Sequence, residues 1–356
     1  MLTTIQPKEY DMFIGIDTSK KSYSITHMDQ NQNKHSLKSP ADPQAVYNYF
    51  QKRFPDKRLL YVYEAGCTGY GLHDYLTSHS QNCIIVHPAS VKQAPRDRVK
   101  NDRIDSQKLS EQALGGQLRG IRVPDETFRK LRHLATTRQS YAQDGRRSKQ
   151  RIKSLLLFEN IQLPQEIETG KHWTKKYRDS LKTIPIANEV VRFRLNILLE
   201  DLEHANKRLL LIHRELRTFC QKEPSIQKNL GILRSIPGFG FVVSTYFLSR
   251  IGDPANLRNV REIGSFAGVV PSEHSSGDKI QKGAITHMGD KELRRLLVQA
   301  AWIAIRKDRE LEQFYNRIKN KNPRNCGPQI AIVAVARKLT ARAHKVLKEQ
   351  RAYIVH

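Results

Sequence analysis

Four acidic residues in the front part of the chain stand where folded proteins display functional side chains. Asp17 ends the apolar strand pattern FIGID, and Glu64 ends a second one, YVYEA. At a strand end the sheet still holds the backbone while the side chain is presented at the edge. In KNDRID, Asp102 and Asp105 are three residues apart, a spacing that puts both carboxylates on one face of a helix.

Carboxylates that converge in this way repel one another and resist desolvation unless cations neutralise them. Such oxygen ligands suit Mg²⁺ or Mn²⁺, and two such ions about 4 Å apart hold the attacking and leaving oxygens of a phosphodiester. Taken alone, each acid also fits a structural role, Asp17 as a turn former, Asp102 as a helix cap and Asp105 as a first-turn acid. Their occurrence together in one α/β segment favours a nuclease-like centre.

The charge of the whole chain indicates a polyanionic partner. Lys and Arg number 61 against 35 Asp and Glu, a formal net charge of +26, and nucleic acid is the leading candidate. A membrane is less suited, because the longest apolar run, QIAIVAVA, is far shorter than the roughly 20 residues of a spanning helix. Basic residues also surround the second acidic pair: Lys92, Arg96, Arg98, Lys100 and Arg103.

A hydroxyl-rich loop, PSEHSSG, is the second candidate for chemistry. Ser276 directly precedes a glycine, which leaves its hydroxyl sterically open for in-line attack. Ser-Ser-Gly is also an ordinary turn composition, so the residues alone leave both interpretations open. Lys279 follows as a basic contact, and His274 is either an acid–base group or a further phosphate contact.

Further nucleic-acid contacts are predicted in the back part of the chain. The basic run Arg146, Arg147, Lys149 and Arg151 is an electrostatic footprint, with a solvated helix face as the alternative. IPGFG resembles a helix-hairpin-helix turn, in which Gly238 and Gly240 permit backbone contacts to phosphate, although a tight interhelical turn has the same composition. Asp290 is a predicted helix cap, and Arg294 on the following helix is a predicted DNA contact.

The elements that must position these residues fall into three parts. Residues 1–120 alternate strands and helices and predict an α/β domain with mixed strand directions; the strands are MFIGIDT, SYSITHMD, LLYVYEA and CIIVHP. Residues 121–222 form long helices, and residues 223–356 a compact helical domain with helices at 241–251, 290–318 and 328–350. The fold class is therefore α/β plus all-α.

The helix predicted from Asn188 carries an apolar seam with alternating spacings of four and three residues: Val191, Leu195, Leu198, Leu202, Ala205, Leu209, Ile212, Leu216 and Phe219. This pattern is typical of a coiled coil. Its partner is the helix predicted from Asp125 to Asn160, the same helix of a second subunit, or both. An amphipathic helix packed within its own domain is the alternative.

The four cysteines, Cys67, Cys83, Cys220 and Cys326, are scattered and lack the spacing of a zinc site or a disulfide framework. The start, MLTTIQPKEYDMF, lacks the basic and apolar regions of a signal peptide. We therefore expect a soluble protein in a reducing, cytoplasmic compartment.

The motifs together resemble those of the DEDD-type insertion-sequence transposases, also called bridge recombinases. The resemblance rests on FIGIDTSK, YEAGCTGY and KNDRIDSQKLSE in front, and on SIPGFG, FAGVVPSEHSSG and HMGDKELRRLLVQAA behind. It runs over nearly the whole chain, and this order of motifs is highly specific. It implies a RuvC-type, ribonuclease-H-like front domain, in which Asp17, Glu64, Asp102 and Asp105 match the family's four acids.

The resemblance further implies that Ser276 is the nucleophile that becomes attached to DNA. The acidic domain and the serine domain would act as one composite site contributed by different subunits, which the coiled coil brings together as a dimer or a tetramer. A structured non-coding bridge RNA would pair with donor and target DNA, in the cytoplasm of a bacterium or archaeon and near its nucleoid.

Three functions follow as hypotheses. The first is an RNA-guided, metal-dependent DNA recombinase of an insertion sequence that works through a serine–DNA intermediate. The second is a hydrolytic nuclease or Holliday-junction resolvase that uses the four acids alone. The third is a non-catalytic nucleic-acid-binding scaffold. A covalent protein–DNA adduct separates the first from the second, and dependence on the acids separates both from the third.

Overall fold

The computed structural model describes residues 3–92, 101–170, 172–256, 259–273, 282–286, 288–321 and 326–355. The chain divides into two compact units, residues 1–123 and 124–356. The boundary lies three residues beyond the border predicted at residue 120. The border predicted at residue 222 falls inside the second unit, so separate coiled-coil and helical domains remain a prediction.

The first unit is built on a mixed, seven-stranded sheet. Its strands are β1 (Thr3–Thr4), β2 (Met12–Thr18), β3 (Ser22–Asp29), β4 (Lys34–Pro40), β5 (Leu59–Glu64), β6 (Asn82–Val86) and β7 (Arg119–Ile121). Their order across the sheet is β1-β7-β6-β5-β2-β3-β4. The four predicted strands are confirmed. The sequence prediction missed β4, a largely polar edge strand, and the short strands β1 and β7.

Strand direction matches the α/β prediction, because β2, β3 and β4 are antiparallel neighbours while β5 and β6 run parallel to β2. One face of the sheet packs on α1 (Pro43–Arg53) and α2 (Gly71–Ser78), through Phe50 and Leu76. The other face packs on α3 (Asp102–Leu114), through Leu109. This arrangement is consistent with a RuvC-like domain.

A long helical hairpin begins the second unit. Its arms are α4 (Glu126–Phe158) and α7 (Glu189–Lys222), and the connection between them carries α5 (Gln165–Glu168) and α6 (Lys175–Thr183). Each arm begins at a polar cap: the Asp125 carboxylate accepts from the amide of Phe128, and the Asn188 side chain accepts from the amide of Val190 at 3.0 Å. Both long helices lie where the sequence predicts them.

The apolar seam of α7 packs on α4 of the same chain. Leu195, Leu198 and Leu202 are buried in one cluster with Ile152 and Leu155 of α4. The first of the alternative partners is therefore observed. Because these leucines form an intrachain core, the seam's central part is not a free surface for a second subunit.

The rest of the second unit is helical, with one short hairpin. Its helices are α8 (Pro224–Arg234), α9 (Phe241–Ile251), α10 (Val260–Ala267), α11 (Lys291–Ala304), α12 (Arg309–Lys321) and α13 (Gly327–Glu349), and its strands are β8 (Pro271–Glu273) and β9 (Lys282–Ile285). The single helix predicted at 290–318 is wrong. The chain breaks it before Asp308, whose buried carboxylate accepts from the amide of Leu311 at 3.0 Å and starts α12.

Candidate active site and nucleic-acid surface

Asp17 and Glu64 occupy matching positions at the carboxyl ends of two parallel strands. Ile16 of β2 pairs in register with Tyr63 of β5, so Asp17 and Glu64, one residue further on, stand at the same level of the sheet. Because alternate residues of a strand share a face, both belong to the face on which Phe13 packs with α3. The sheet thus brings the first two acids together as the sequence predicts.

The second acidic pair lies on the first turn of α3. Asn101, and not Asp102, is the helix cap, because its side chain accepts from the amide of Arg103 at 3.0 Å. The cap interpretation of Asp102 is therefore wrong. Asp102 is exposed, whereas Asp105, one turn on, is half-buried.

The direction of α3 points this first turn towards the strand-end acids. Ala113, in the second half of α3, packs near Phe13 at the beginning of β2. The Ser106 hydroxyl is hydrogen-bonded to that of Thr26 at 2.9 Å, and Thr26 pairs across the sheet with Gly15. The start of α3 therefore lies towards the end of β2. All four acids therefore lie towards the end of the sheet at which β2 and β5 terminate, which is here called the acidic edge.

Gly15 permits this close docking of α3, a role that the sequence analysis missed. A Cβ at this position would lie 2.1 Å from the carbonyl oxygen of Ser106 and 2.6 Å from the amide nitrogen of Ser110. Only a residue without a side chain fits under the helix. A glycine inside an otherwise apolar strand was the signal that could have indicated it. A hydrogen bond of 2.9 Å between Thr18 and Thr68 further joins the segments that follow the two strands.

The chemistry of these donors fits Mg²⁺ or Mn²⁺, because such ions prefer carboxylate oxygens. In the part of the chain that the structure describes, however, no three Asp, Glu, His or Cys side chains come close enough to share one ion. Mg²⁺ is commonly held by one or two carboxylates together with substrate phosphates. The arrangement suits an ion that binds together with DNA better than one held by protein alone.

Ser276 and Lys279 lie outside the described residues, and the structure shows the base of the hairpin that carries them. Pro271 of β8 pairs with Ile285 of β9, and the amide of Thr286 donates to the carbonyl of Val270 at 3.3 Å. The sequence predicts a loop here, without the two strands that the structure shows on either side of it.

Two glycines and Arg294 hold together the segments before β8 and after β9. Gly268 (φ 65°) and Gly289 (φ 86°) adopt left-handed conformations and lie so close that a Cβ on Gly289 would be 2.8 Å from the amide nitrogen of Gly268. Arg294 Nη1 donates to the carbonyls of Gly268 and Met288, at 3.1 Å each. The guanidinium predicted to contact DNA is thus engaged with the protein backbone.

Asp290 caps α11, as the sequence predicts. Its carboxylate accepts from the amides of Glu292 and Leu293 at 3.0 and 2.9 Å. It also forms an ion pair of 2.9 Å with Arg250. The strands β8 and β9 with the segment between them are here called the serine hairpin. The segment that follows this hairpin is held to α9 by the ion pair between Asp290 and Arg250.

The predicted basic surface lies on α4. Arg146, Arg147 and Arg151 are exposed there. Lys149 is half-buried, and its ammonium group lies over the ring of Trp173 at 5.5 Å. Arg103, at the beginning of α3, is also exposed. The remaining predicted contacts in this set, Arg96, Arg98 and Lys100, lie outside the described residues.

The two glycines of IPGFG differ in their surroundings. Gly238 (φ 89°) lies against α11, and a Cβ there would be 2.2 Å from the carbonyl oxygen of Ala300. Its close approach therefore serves helix packing. Gly240 is the cap residue of α9 and has open space around it, while its amide donates to the carbonyl of Gly238 at 3.1 Å.

Comparison with known proteins decides the family. Residues 14–160 match the model of the DEDD-type transposase domain, and residues 230–316 match the Transposase IS116/IS110/IS902 family. The two matched segments contain the acidic edge and the serine hairpin. The chain belongs to the DEDD-type insertion-sequence transposases.

Two relatives that match most of this chain are described as transposases, and a third, of another description, matches less than half of it. The transposase for insertion sequence element IS1533 of Leptospira borgpetersenii is 26% identical, over 94% of this chain and 95% of its own. The transposase for IS1328 of Yersinia enterocolitica is 23% identical, over 81% and 82%. A pilin gene-inverting protein of Moraxella bovis is 26% identical over 43% of this chain and 48% of its own.

The comparisons establish a DNA transposase, with a domain type that typically uses divalent metal ions. Among the described residues, no helix is both long and apolar enough to cross a membrane.

Proposed function

We propose that this transposase cuts and rejoins the DNA strands of its insertion sequence through a covalent bond between Ser276 and DNA. The observation that carries the proposal is that Asp17 and Glu64 end neighbouring parallel strands and that the first turn of α3, with Asp102 and Asp105, is directed towards that end of the sheet. The acids and Ser276 act on the same phosphodiester and come from different subunits.

The proposed reaction is a pair of transesterifications. The Oγ of Ser276 attacks the phosphorus and forms a serine phosphodiester, while the bond to the leaving strand breaks and the serine proton is transferred to the leaving oxygen or to solvent. A strand hydroxyl then attacks the same phosphorus and releases the serine. Each step exchanges one phosphate ester for another, so the strand is rejoined without ATP.

The carboxylates and the bound ion have separate roles in this reaction. A divalent ion, bound with the scissile phosphate, would offset its negative charge and that of the carboxylates. Asp17 and Glu64 lie on the rigid sheet and Asp102 and Asp105 on the docked first turn of α3, so these carboxylates are positioned to hold such ions, Mg²⁺ or Mn²⁺, against the phosphate.

Donor and target DNA and a structured non-coding bridge RNA are the proposed partners. The charge of +26 supports a polyanion of some length. We further propose a homo-oligomer, a dimer to a tetramer, in the cytoplasm and near the nucleoid. The predicted phosphate contacts are Arg103, Arg146, Arg147, Lys149, Arg151, Gly240 and Lys279, with Arg96, Arg98 and Lys100 beside the acids.

A covalent-adduct assay tests the proposal. Purified protein is incubated with Mg²⁺, its RNA and labelled DNA, and the products are run on a denaturing gel. We expect a protein–DNA adduct that is lost in Ser276→Ala and kept in the matched control Ser275→Ala. Cleavage without any adduct would instead identify a hydrolytic nuclease that uses the four acids alone.

A further inference from the structure

Arginines from two helices lie close together in the second unit, and only one of them, Arg146, is among the phosphate contacts predicted above. Arg138 and Arg146 lie on α4, and Arg295 lies on the second turn of α11. Burial, and next the charge of Arg295, lowers the pKa of Arg138. The same two causes lower the pKa of Arg146. These shifts mean that the three like charges are close enough to repel one another.

Glu292 offsets this repulsion in part. Its carboxylate accepts from Arg295 Nε, at 3.0 Å to each oxygen. One carboxylate facing three guanidinium groups leaves the cluster positively charged. Burial, followed by the charges of Arg217 and Arg138, lowers the pKa of His213 on α7, which disfavours a further positive charge beside the cluster.

Two donors in the cluster are buried without an acceptor. Arg138 Nε and Gln139 Nε2 are shielded from solvent and make no hydrogen bond to any described residue. Gln139 is only 6% exposed, and its Oε1 is occupied by a hydrogen bond of 2.8 Å from Arg138 Nη1. Buried donors are normally satisfied, since an unmet donor loses its hydration without compensation.

Arg342, in the same unit, has the contacts expected of an arginine with a purely structural role. Arg342 Nη1 pairs with the buried Asp308 carboxylate at 2.7 Å, and the same carboxylate oxygen accepts from the Tyr353 hydroxyl at 2.7 Å. Here the charge is compensated within the fold. Arg138 has no such carboxylate partner among the described residues, and its surroundings are cationic.

We propose that Arg138, Gln139, Arg146 and Arg295, here called the arginine cluster, bind a backbone phosphate of the DNA strand that is cleaved. A phosphodiester supplies the missing acceptor oxygens and the missing negative charge, and guanidinium groups match its geometry. DNA is favoured over RNA because α11 carries Arg295 and also anchors, through Asp290, the hairpin that bears Ser276. The assignment of the strand rests on the proposed function.

The test measures affinity for a labelled DNA duplex at several salt concentrations, together with the melting temperature. In Arg138→Met we expect affinity to fall about tenfold and the slope of log affinity against log salt to decrease by about 1. The melting temperature should change little, because the loss of an unmet donor and of a repelled charge offsets the loss of the hydrogen bond to Gln139 Oε1. Arg309→Gln, an exposed arginine on α12, is the charge-matched control and should keep most of the affinity.

A lower melting temperature with unchanged DNA affinity would overturn the proposal, because it would show a structural arginine. Arg146→Gln, at an exposed position, gives the same binding test if Arg138→Met does not fold. A loss of affinity for the bridge RNA without a loss for DNA would overturn the choice of DNA. The binding test is independent of adduct formation, so a failure of the serine mechanism would appear in the adduct assay alone.

Discussion

At the residue scale, the contacts of Arg294 indicate a structural role where its charge predicts a DNA contact. The sequence places it on a helix beside the serine loop, which favours a DNA contact. In the fold its Nη1 binds the carbonyls of Gly268 and Met288, which lie on the two sides of the serine hairpin's base. We infer that Arg294 positions Ser276 by holding these two segments together.

Replacing Arg294 therefore affects the reaction more than binding. In Arg294→Ala we expect the rate of adduct formation at saturating DNA to fall by about tenfold or more, because the nucleophile is less well positioned. The salt dependence of DNA affinity should change little, and Arg294→Lys should restore little, since one ammonium group cannot reproduce the guanidinium contacts. A decrease of about 1 in the salt slope with an unchanged rate would show that Arg294 contacts DNA instead.

His27 predicts a pH dependence of stability for the first unit. It is buried between Phe50, Phe54 and His35, and burial, followed by His35 and Arg53, lowers its pKa from 6.5 to about 4. In the unfolded chain the imidazole of His27 binds a proton below pH 6.5, whereas in the folded chain it stays neutral until the pH approaches 4. The neutral His27 therefore makes its full contribution to the free energy of unfolding above pH 6.5. This free energy decreases by up to about 3 kcal/mol as the pH falls towards 4.

Urea unfolding between about pH 7 and pH 4.5 measures this effect. We expect the first unit of His27→Phe to lose less stability over this range than the wild type. His79→Phe is the control, because His79 is exposed and phenylalanine can keep its ring contacts with Tyr75 and Tyr47. Parallel pH curves for the wild type and His27→Phe would contradict the assignment.

At the element scale, the acidic edge depends on how α3 docks on β2. The space for this contact exists only because residue 15 lacks a side chain. Gly15→Ala should push α3 away from the sheet and destabilise the first unit by about 3 kcal/mol, with loss of DNA cleavage as Asp102 and Asp105 move. Thermal unfolding and cleavage assays check this, and a variant with wild-type stability and activity would show that the helix shifts without cost.

A different face of α7 is available for subunit contacts. Val190 and Phe193 are 74% and 66% exposed, and with Ile197 they follow helical spacing along one side. Leu157 and Phe158, at the adjoining end of α4, are also exposed. These residues, and not the buried seam, are the expected oligomer contact.

Light scattering distinguishes the two faces. Val190→Asp with Phe193→Asp should lower the mass of the oligomer while the helical content stays the same. Leu198→Asp should instead unfold the hairpin, at a cost of about 4 kcal/mol, because it puts a charge into the core. An unchanged mass in the double variant would rule out this face as the assembly contact.

Helices and their order were largely predictable, because periodicity and caps are local signals, as at Asp125, Asn188 and Asp290. The break at Asp308 was not, since its carboxylate is held by Arg342 from a helix further along the chain. The acidic edge was predictable as a set of residues. The docking of α3 on Gly15 and the contacts of Arg294 were not, because they depend on which segments meet in space.

At the scale of the whole molecule, two compact units carry the two halves of the proposed chemistry. Residues 1–123 contain the four acids, and residues 124–356 contain Ser276 and the arginine cluster. The formal net charge of +26 favours a nucleic-acid partner for the chain. We propose that, in an oligomer, the acidic unit of one subunit acts together with the serine of another.

Mixing two inactive variants tests this central claim most directly. Asp105→Ala lacks one proposed metal-binding carboxylate, and Ser276→Ala lacks the proposed nucleophile. We predict that neither forms a protein–DNA adduct alone and that a co-expressed mixture regains part of it, attached to the Asp105→Ala subunit. Full adduct formation by Asp105→Ala alone, or an inactive mixture of the two, would contradict the claim.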